Sequence, residues 1–130
     1  MPGRVVFIVN GGGFESAFQA VSMGITAAAM GDEVTFVFAF EALRQIARGG
    51  FGFPKNERES AESARAQGLG VPAPLRMLEE ARSMGARLVA CDTTVKLCGF
   101  SAADFEGKLD EVMGLASIWR LTEGARVLTF

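Results

Sequence analysis

Ala86-Arg87-Leu88-Val89-Ala90-Cys91-Asp92-Thr93-Thr94-Val95-Lys96-Leu97-Cys98-Gly99-Phe100 is the stretch on which the fold turns. Arg87–Ala90 is a short apolar run of strand character, closed by a thiol, Cys91. Helix-start residues follow at once: Asp92, Thr93 and Thr94 are all good N-cap types, and Val95, Lys96 and Leu97 continue as a short helix. A strand that runs directly into a helix is half of a βαβ unit. It sets Cys91 at the carboxyl end of a strand, where open α/β sheets form their binding crevices, and against the positive end of a helix, which favours a thiolate. Cys91 is therefore the leading candidate for chemistry. The alternative is a buried thiol acting as a small apolar filler at a strand end.

The rest of the chain repeats the strand and helix alternation. Val5–Val9 reads as a buried strand and Asn10-Gly11-Gly12-Gly13 as the turn that leaves it. Phe14, Ala17, Phe18, Val21, Ile25 and Ala28 then recur at helical spacing, with Gly31 placed to end that helix. Glu33–Phe40 is almost continuously apolar, as expected of a strand covered on both faces, and so implies a parallel sheet. Glu41–Arg48 reads as a short helix ended by Gly49-Gly50. Pro74 opens another, with Leu75, Leu78 and Ala81 as its stripe and Gly85 at its end. Near the end, Leu109–Glu123 carries Val112, Leu115, Trp119 and Thr122 on one side, with Gly114 as the alternative start of the helix. Arg126–Phe130 is a closing strand. The expected fold is a single α/β domain: a three-layer α/β/α sandwich with a mainly parallel sheet of about five strands, flavodoxin-like.

Between these elements, residues 49–72 form the irregular part. Lys55–Gln67 is polar and charge-balanced, with scarcely an apolar residue to anchor it. It is expected to be a mobile loop containing at most a helical turn or two, serving as a lid, a docking arm carrying Phe51 and Phe53, or a tolerated insertion.

Composition narrows the function classes. The 130 residues are one domain's length, and 49% hydrophobic with 22% charged is a globular balance. A net charge of −2 without a Lys/Arg cluster gives no footprint for nucleic acid or an anionic membrane. Gln19, Ser22 and Thr26 interrupt the longest candidate for a membrane span, and Val5–Val9 is too short for a signal h-region, so a cytoplasmic protein with reduced thiols is expected. With no histidine and no tyrosine, imidazole mechanisms and histidine-containing zinc sites are excluded. The chain is read as working without metal or cofactor.

Two further features bear on chemistry. The Asn10–Ser16 loop lies where phosphate loops lie but matches neither G-x-x-x-x-G-K-[ST] nor G-x-G-x-x-G, and it has no lysine. It reads as a turn needing positive φ, as a nucleotide loop, or as a source of N–H groups for an anionic adduct near Cys91. Cys98 follows Cys91 by seven residues. At about 1.5 Å per helical residue their Cα atoms stand roughly 10 Å apart, too far for a disulfide. Cys98 is then either packed with Leu97 and Phe100 or a resolving thiol, and Lys96 an anion-attracting or merely solvated cation.

The segment Ala90–Phe100 resembles the A-C-x-x-S-x-x-x-x-G segment of the DsrE/DsrF-like family, and Gly114-Leu115-Ala116-Ser117 resembles that family's G-G-V-A or G-L-A helix start. The first strand, the F-x-F of the second and the long loop fit as well, particularly the branch with an enlarged loop. The resemblance implies a small flavodoxin-like sandwich that forms homo- or hetero-oligomers, and a persulfide-carrying cysteine at Cys91, with sulfur-donor and sulfur-acceptor proteins as partners. Thr94 stands where that family commonly has serine, and Cys98 where an apolar residue is common. The expected function is a sulfur carrier or sulfurtransferase. The alternatives are a non-catalytic assembly or regulatory module and, third, a nucleotide-binding module using Gly11–Gly13.

Overall fold

The structure is a computed structural model that describes residues 2–130. Five strands, β1 (Arg4–Val9), β2 (Glu33–Phe38), β3 (Arg87–Cys91), β4 (Glu111–Met113) and β5 (Arg126–Thr129), form one all-parallel sheet in the order β4-β3-β2-β1-β5. The helices are α1 (Phe14–Ala29), α2 (Phe40–Ala47), α3 (Glu57–Gly68), α4 (Pro74–Ser83), α5 (Asp92–Leu97) and α6 (Leu115–Leu121), with a 3-10 turn at Ala102–Phe105. The three-layer α/β/α sandwich expected from the sequence is the fold observed. Among the described residues, no helix is long and apolar enough to cross a membrane.

The strand order dictates which helix covers which face. From β1 to β4 the chain steps in one direction across the sheet, so right-handed crossovers leave their helices on one face. Only the β4-to-β5 connection steps back, and it alone puts its helix, α6, on the other. The first face holds the larger core, where Phe7, Phe36 and Phe38 stack at centroid distances of 5.2 and 6.0 Å under residues of α1, α2 and α4. The second face holds a smaller cluster of Val6, Val37, Ala39, Val89, Cys91 and Ile118, with Ile8, Met113 and Leu121 at its margin. The reversal of direction makes the carboxyl edge between β1 and β5 the topological switch point.

Several boundaries differ from the sequence reading. Phe40 is not strand but the first residue of α2, entered at φ +46 after Ala39. Glu111–Met113 is the fourth strand rather than helix, and α6 starts only after Gly114. Its inward residue is Ile118, so the side expected to face the core faces out: Leu115 is 60% and Trp119 77% exposed. Residues 57–68 form a three-turn helix capped by Asn56, whose side-chain oxygen accepts from Glu59 N–H at 2.8 Å. The connection before it is pinned as well. Phe51 is buried edge-on against Phe38, and Gln45 Oε1 accepts from Gly52 N–H at 2.8 Å.

Candidate functional site around Cys91

Cys91 is the last residue of β3, opposite Met113 of β4, and Ala90 pairs with Phe38, which brings Ala39 alongside Cys91. Its alternating position turns it to the second face, where it is 6% exposed in the Val37, Ala39, Val89 and Ile118 cluster. The sequence left the helix start open among Asp92, Thr93 and Thr94. Cys91 itself is the N-cap, and no side chain caps the helix. Asp92, the first helical residue, pairs with Lys96 at 3.0 Å, one turn on, which draws its carboxylate along the helix surface and gives Lys96 a partner. Thr93 is exposed. Thr94 is buried and its Oγ1 donates to the Cys91 carbonyl at 3.1 Å, tying the strand end to the helix that follows.

Phe40 lies one residue beyond Ala39 at the same sheet edge. A positive φ on a bulky residue is strained, and such strain gathers where the surrounding structure holds a residue for a purpose. The sequence offered no sign of it, since aromatic residues at a strand end are ordinary.

Cys98 is the C-cap of α5 and is half-buried; Leu97 before it is largely exposed, while Phe100 is packed against the larger core. Arg44 of α2 donates through Nη1 to Cys98 Sγ at 3.5 Å, while its Nε donates to Glu41 Oε1 at 2.8 Å. The hydrogen bond it donates to Glu41 holds the Arg44 guanidinium above its ordinary value, and Cys98 adds to the effect. Arg44 was not singled out from sequence because its partner comes from an element about fifty residues on. Both cysteines are free.

The structure does not bring the glycine loop to Cys91. Asn10 and Gly11 donate their N–H groups to the Phe130 carbonyl at 2.8 and 3.2 Å. Gly12 and Gly13 are buried on the other side, and space rather than positive φ explains them. A Cβ on Gly12 would stand 2.6 Å from Gln45 Nε2 and nearer still to Glu41 Cγ, and one on Gly13 would stand 2.9 and 3.0 Å from the two carboxylate oxygens of Glu59. Glu59 and Gln45 are the two residues that sequence reasoning missed here. The legible signal was Asn56-x-x-Glu59, a capping-box spacing whose glutamate reaches across the molecule instead of back to its own N-cap.

A groove of about 470 Å³ at the opposite, amino edge involves Arg4, Asp32, Glu33 and Arg87. Arg4 there pairs with Glu33 and Arg87 with Glu111, and neither cysteine is among its lining residues.

No family model matches the chain, and no curated protein sequence is significantly similar to it. Solved structures are similar over its whole length. The ychN protein from E. coli is 19% identical with a TM-score of 0.64, covering 98% of this chain and 99% of that one. Protein MTH1491 of unknown function, from Methanobacterium thermoautotrophicum, is 18% identical with a TM-score of 0.65, again over 98% and 99%. The conserved protein of unknown function BT1422 from Bacteroides thetaiotaomicron is 11% identical with a TM-score of 0.65, over 98% and 94%. At such identities the likeness is one of architecture: the chain builds the same whole-length fold as these small conserved proteins.

Proposed function

We propose that the protein is a sulfur carrier that holds a persulfide on Cys91. The observation that carries this reading is the placement of Cys91 at the junction of β3 and α5, on the carboxyl edge of the sheet, within the segment that resembles the sulfur-relay family. The Cys91 thiolate attacks the terminal sulfur of a donor persulfide. The donor's S–S bond breaks, the donor leaves as a thiolate and Cys91 keeps the sulfur as a persulfide. An acceptor thiolate then attacks that outer sulfur and Cys91 departs as thiolate, so no external oxidant or reductant is needed. The apolar cluster around Cys91 shelters the intermediate from water, and the pairing of Asp92 with Lys96 turns a nearby negative charge aside. Incubation with polysulfide is expected to add one sulfur atom, about 32 Da, to wild type and to Cys98→Ser, with reductant removing it. Cys91→Ala, checked to be folded by circular dichroism, is expected to stay unmodified. Loading of that variant refutes the site, and a folded, reduced wild type that never loads refutes the carrier.

A second reading, an assembly module in which Cys91 is inert, is favoured by the outer side of α6, where Leu115 and Trp119 stand in solvent. Self-association, which the family resemblance implies, belongs to both readings. Sedimentation at tens of micromolar tests it, with Trp119→Arg expected to shift any assembly toward monomer.

A further inference from the structure

α3 is polar and largely exposed except at Glu59, whose side chain is 1% exposed. Its carboxylate lies at the amino-terminus of the sixteen-residue helix α1. Oε1 accepts from the Phe14 N–H at 2.6 Å and from the Lys55 N–H at 3.3 Å. Oε2 is buried beside it without any hydrogen-bond partner; Lys55 Nζ is 3.9 Å away and mostly in solvent. Gly13 supplies the room. With φ −72 it has no conformational need to be glycine, yet a Cβ there would press on both oxygens.

This place has the physics of an oxyanion site. It is the positive end of a long helix, and it follows β1 at the switch point of a parallel sheet. The internal carboxylate uses it incompletely, because one of its oxygens is stripped of water and receives no donor in return. The helix that delivers it buries no other residue fully, so little apolar surface offsets that loss. Gly70, at φ +76 with open space around it, lets the chain turn just beyond α3.

We propose that the amino-terminus of α1, with Gly13 and Lys55, binds a phosphate-class oxyanion, and that Glu59 occupies this site as an internal carboxylate until the ligand displaces it and releases α3. A phosphate dianion brings more charge and more acceptor oxygens than a carboxylate, and Lys55, freed from Glu59, is positioned to pair with it. The site is independent of Cys91, which lies on the other face of the sheet.

The test titrates the full chain with inorganic phosphate, and separately with AMP, at constant ionic strength and neutral pH, while amide exchange is followed over residues 57–68. Exchange in α3 is expected to rise saturably in wild type. Glu59→Gln, which removes the competing charge, is expected to bind phosphate at least tenfold more tightly. Saturation by AMP well below the phosphate concentration identifies a phosphorylated metabolite as the ligand, and equal concentrations identify the free anion. A folded Glu59→Gln whose α3 exchanges freely but which takes up neither probe makes Glu59 a helix cap only and overturns the proposal. If that variant does not fold, wild type decides, and α3 exchange indifferent to both probes overturns it equally.

Discussion

Gly24 sits in the middle of α1, where glycine costs about 1 kcal/mol relative to alanine, so Gly24→Ala taken on helix propensity alone stabilises the protein. Packing argues the other way. A Cβ at Gly24 would come within 3.0 and 3.1 Å of Phe36 Cε1 and Cε2, and closer still to Cζ. Phe36 is fully buried and held between Phe7 and Phe38, stacked against both, so its ring has nowhere to tilt. Relief requires α1 to rise off the sheet, and overpacking of this kind costs typically 1–3 kcal/mol. With relief by side-chain motion closed off, the upper half of that range applies, and subtracting the helix gain leaves a net loss of about 1–2 kcal/mol. For a domain of this size that lowers Tm by roughly 3–8 °C. Urea unfolding of Gly24→Ala, with m unchanged, measures it, and Gly24→Ala combined with Phe36→Leu is expected to recover about 1 kcal/mol as a coupling term. A Gly24→Ala protein more stable than wild type by about 1 kcal/mol refutes the reasoning, because it shows the helix gain unopposed.

Two more outcomes follow from polar contacts. Asp110 accepts the Leu88 N–H at 2.7 Å through Oδ2 and two Arg82 donors at 2.9 and 2.7 Å through Oδ1, so Asp110→Ala is expected to cost about 1–3 kcal/mol by orphaning a strand N–H. Arg82→Ala, which breaks a partly exposed ion pair and a long, exposed hydrogen bond to the Gly107 carbonyl, is expected to cost within about 1 kcal/mol; the reverse order in urea unfolding contradicts this ranking. Docking of α3 on α1 is expected to depend on pH through Glu15 and Glu62, with Arg58, Lys55 and Glu59 around them. The hydrogen bond that Glu62 shares with Glu15, helped by burial, holds Glu62 above its ordinary 4.5, and the same bond holds Glu15 below it. The Glu62 contribution is full below the ordinary value and lost as pH rises through the raised one. The Glu15 contribution is present above the ordinary value and lost as pH falls through the lowered one. Amide protection of residues 57–68, corrected for intrinsic exchange, is therefore expected to be greatest near the ordinary carboxylate range, and Glu62→Gln to abolish its fall toward neutral pH. An unchanged pH profile in that variant counts against the shared proton.

The sheet and most of its helices were legible because burial leaves a period in the sequence. Val34–Phe38 reads as a strand covered on both faces, and of the α1 residues at helical spacing Phe14, Ala17 and Val21 are buried while Phe18, Ile25 and Ala28 are partly buried against the same core. α3 left no such trace, for the residue that fastens it is a glutamate, and apolar periodicity does not register a buried carboxylate. α6 misled for a related reason. Leu115 and Trp119 form a stripe as apolar as any, yet the short strand before it fixes the helix with Ile118 inward, and only the three-dimensional register of β4 beside β3 decides between the two sides. Of the candidate site, the place of Cys91 in the fold was readable from its own neighbours in the chain. Arg44 beside Cys98, Ala39 beside Cys91 and Glu59 beside Gly13 come from elements about fifty residues away, a distance at which one sequence carries no pairing information.

The single short helix on the second face also sets a clock. With Cys91 6% exposed in the same cluster as Ile118 of α6, the rate of thiol modification is expected to be the intrinsic rate multiplied by an opening constant for that helix. Seven residues with one buried side chain, Ile118, are expected to open far more often than the sheet melts. Modification of Cys91 in low urea is thus expected to be nearly independent of denaturant, then to steepen where global unfolding takes over. Whatever settles on Leu115 and Trp119 is expected to change that opening constant, and so the rate at which a reagent meets the Cys91 thiol, without touching the thiol itself.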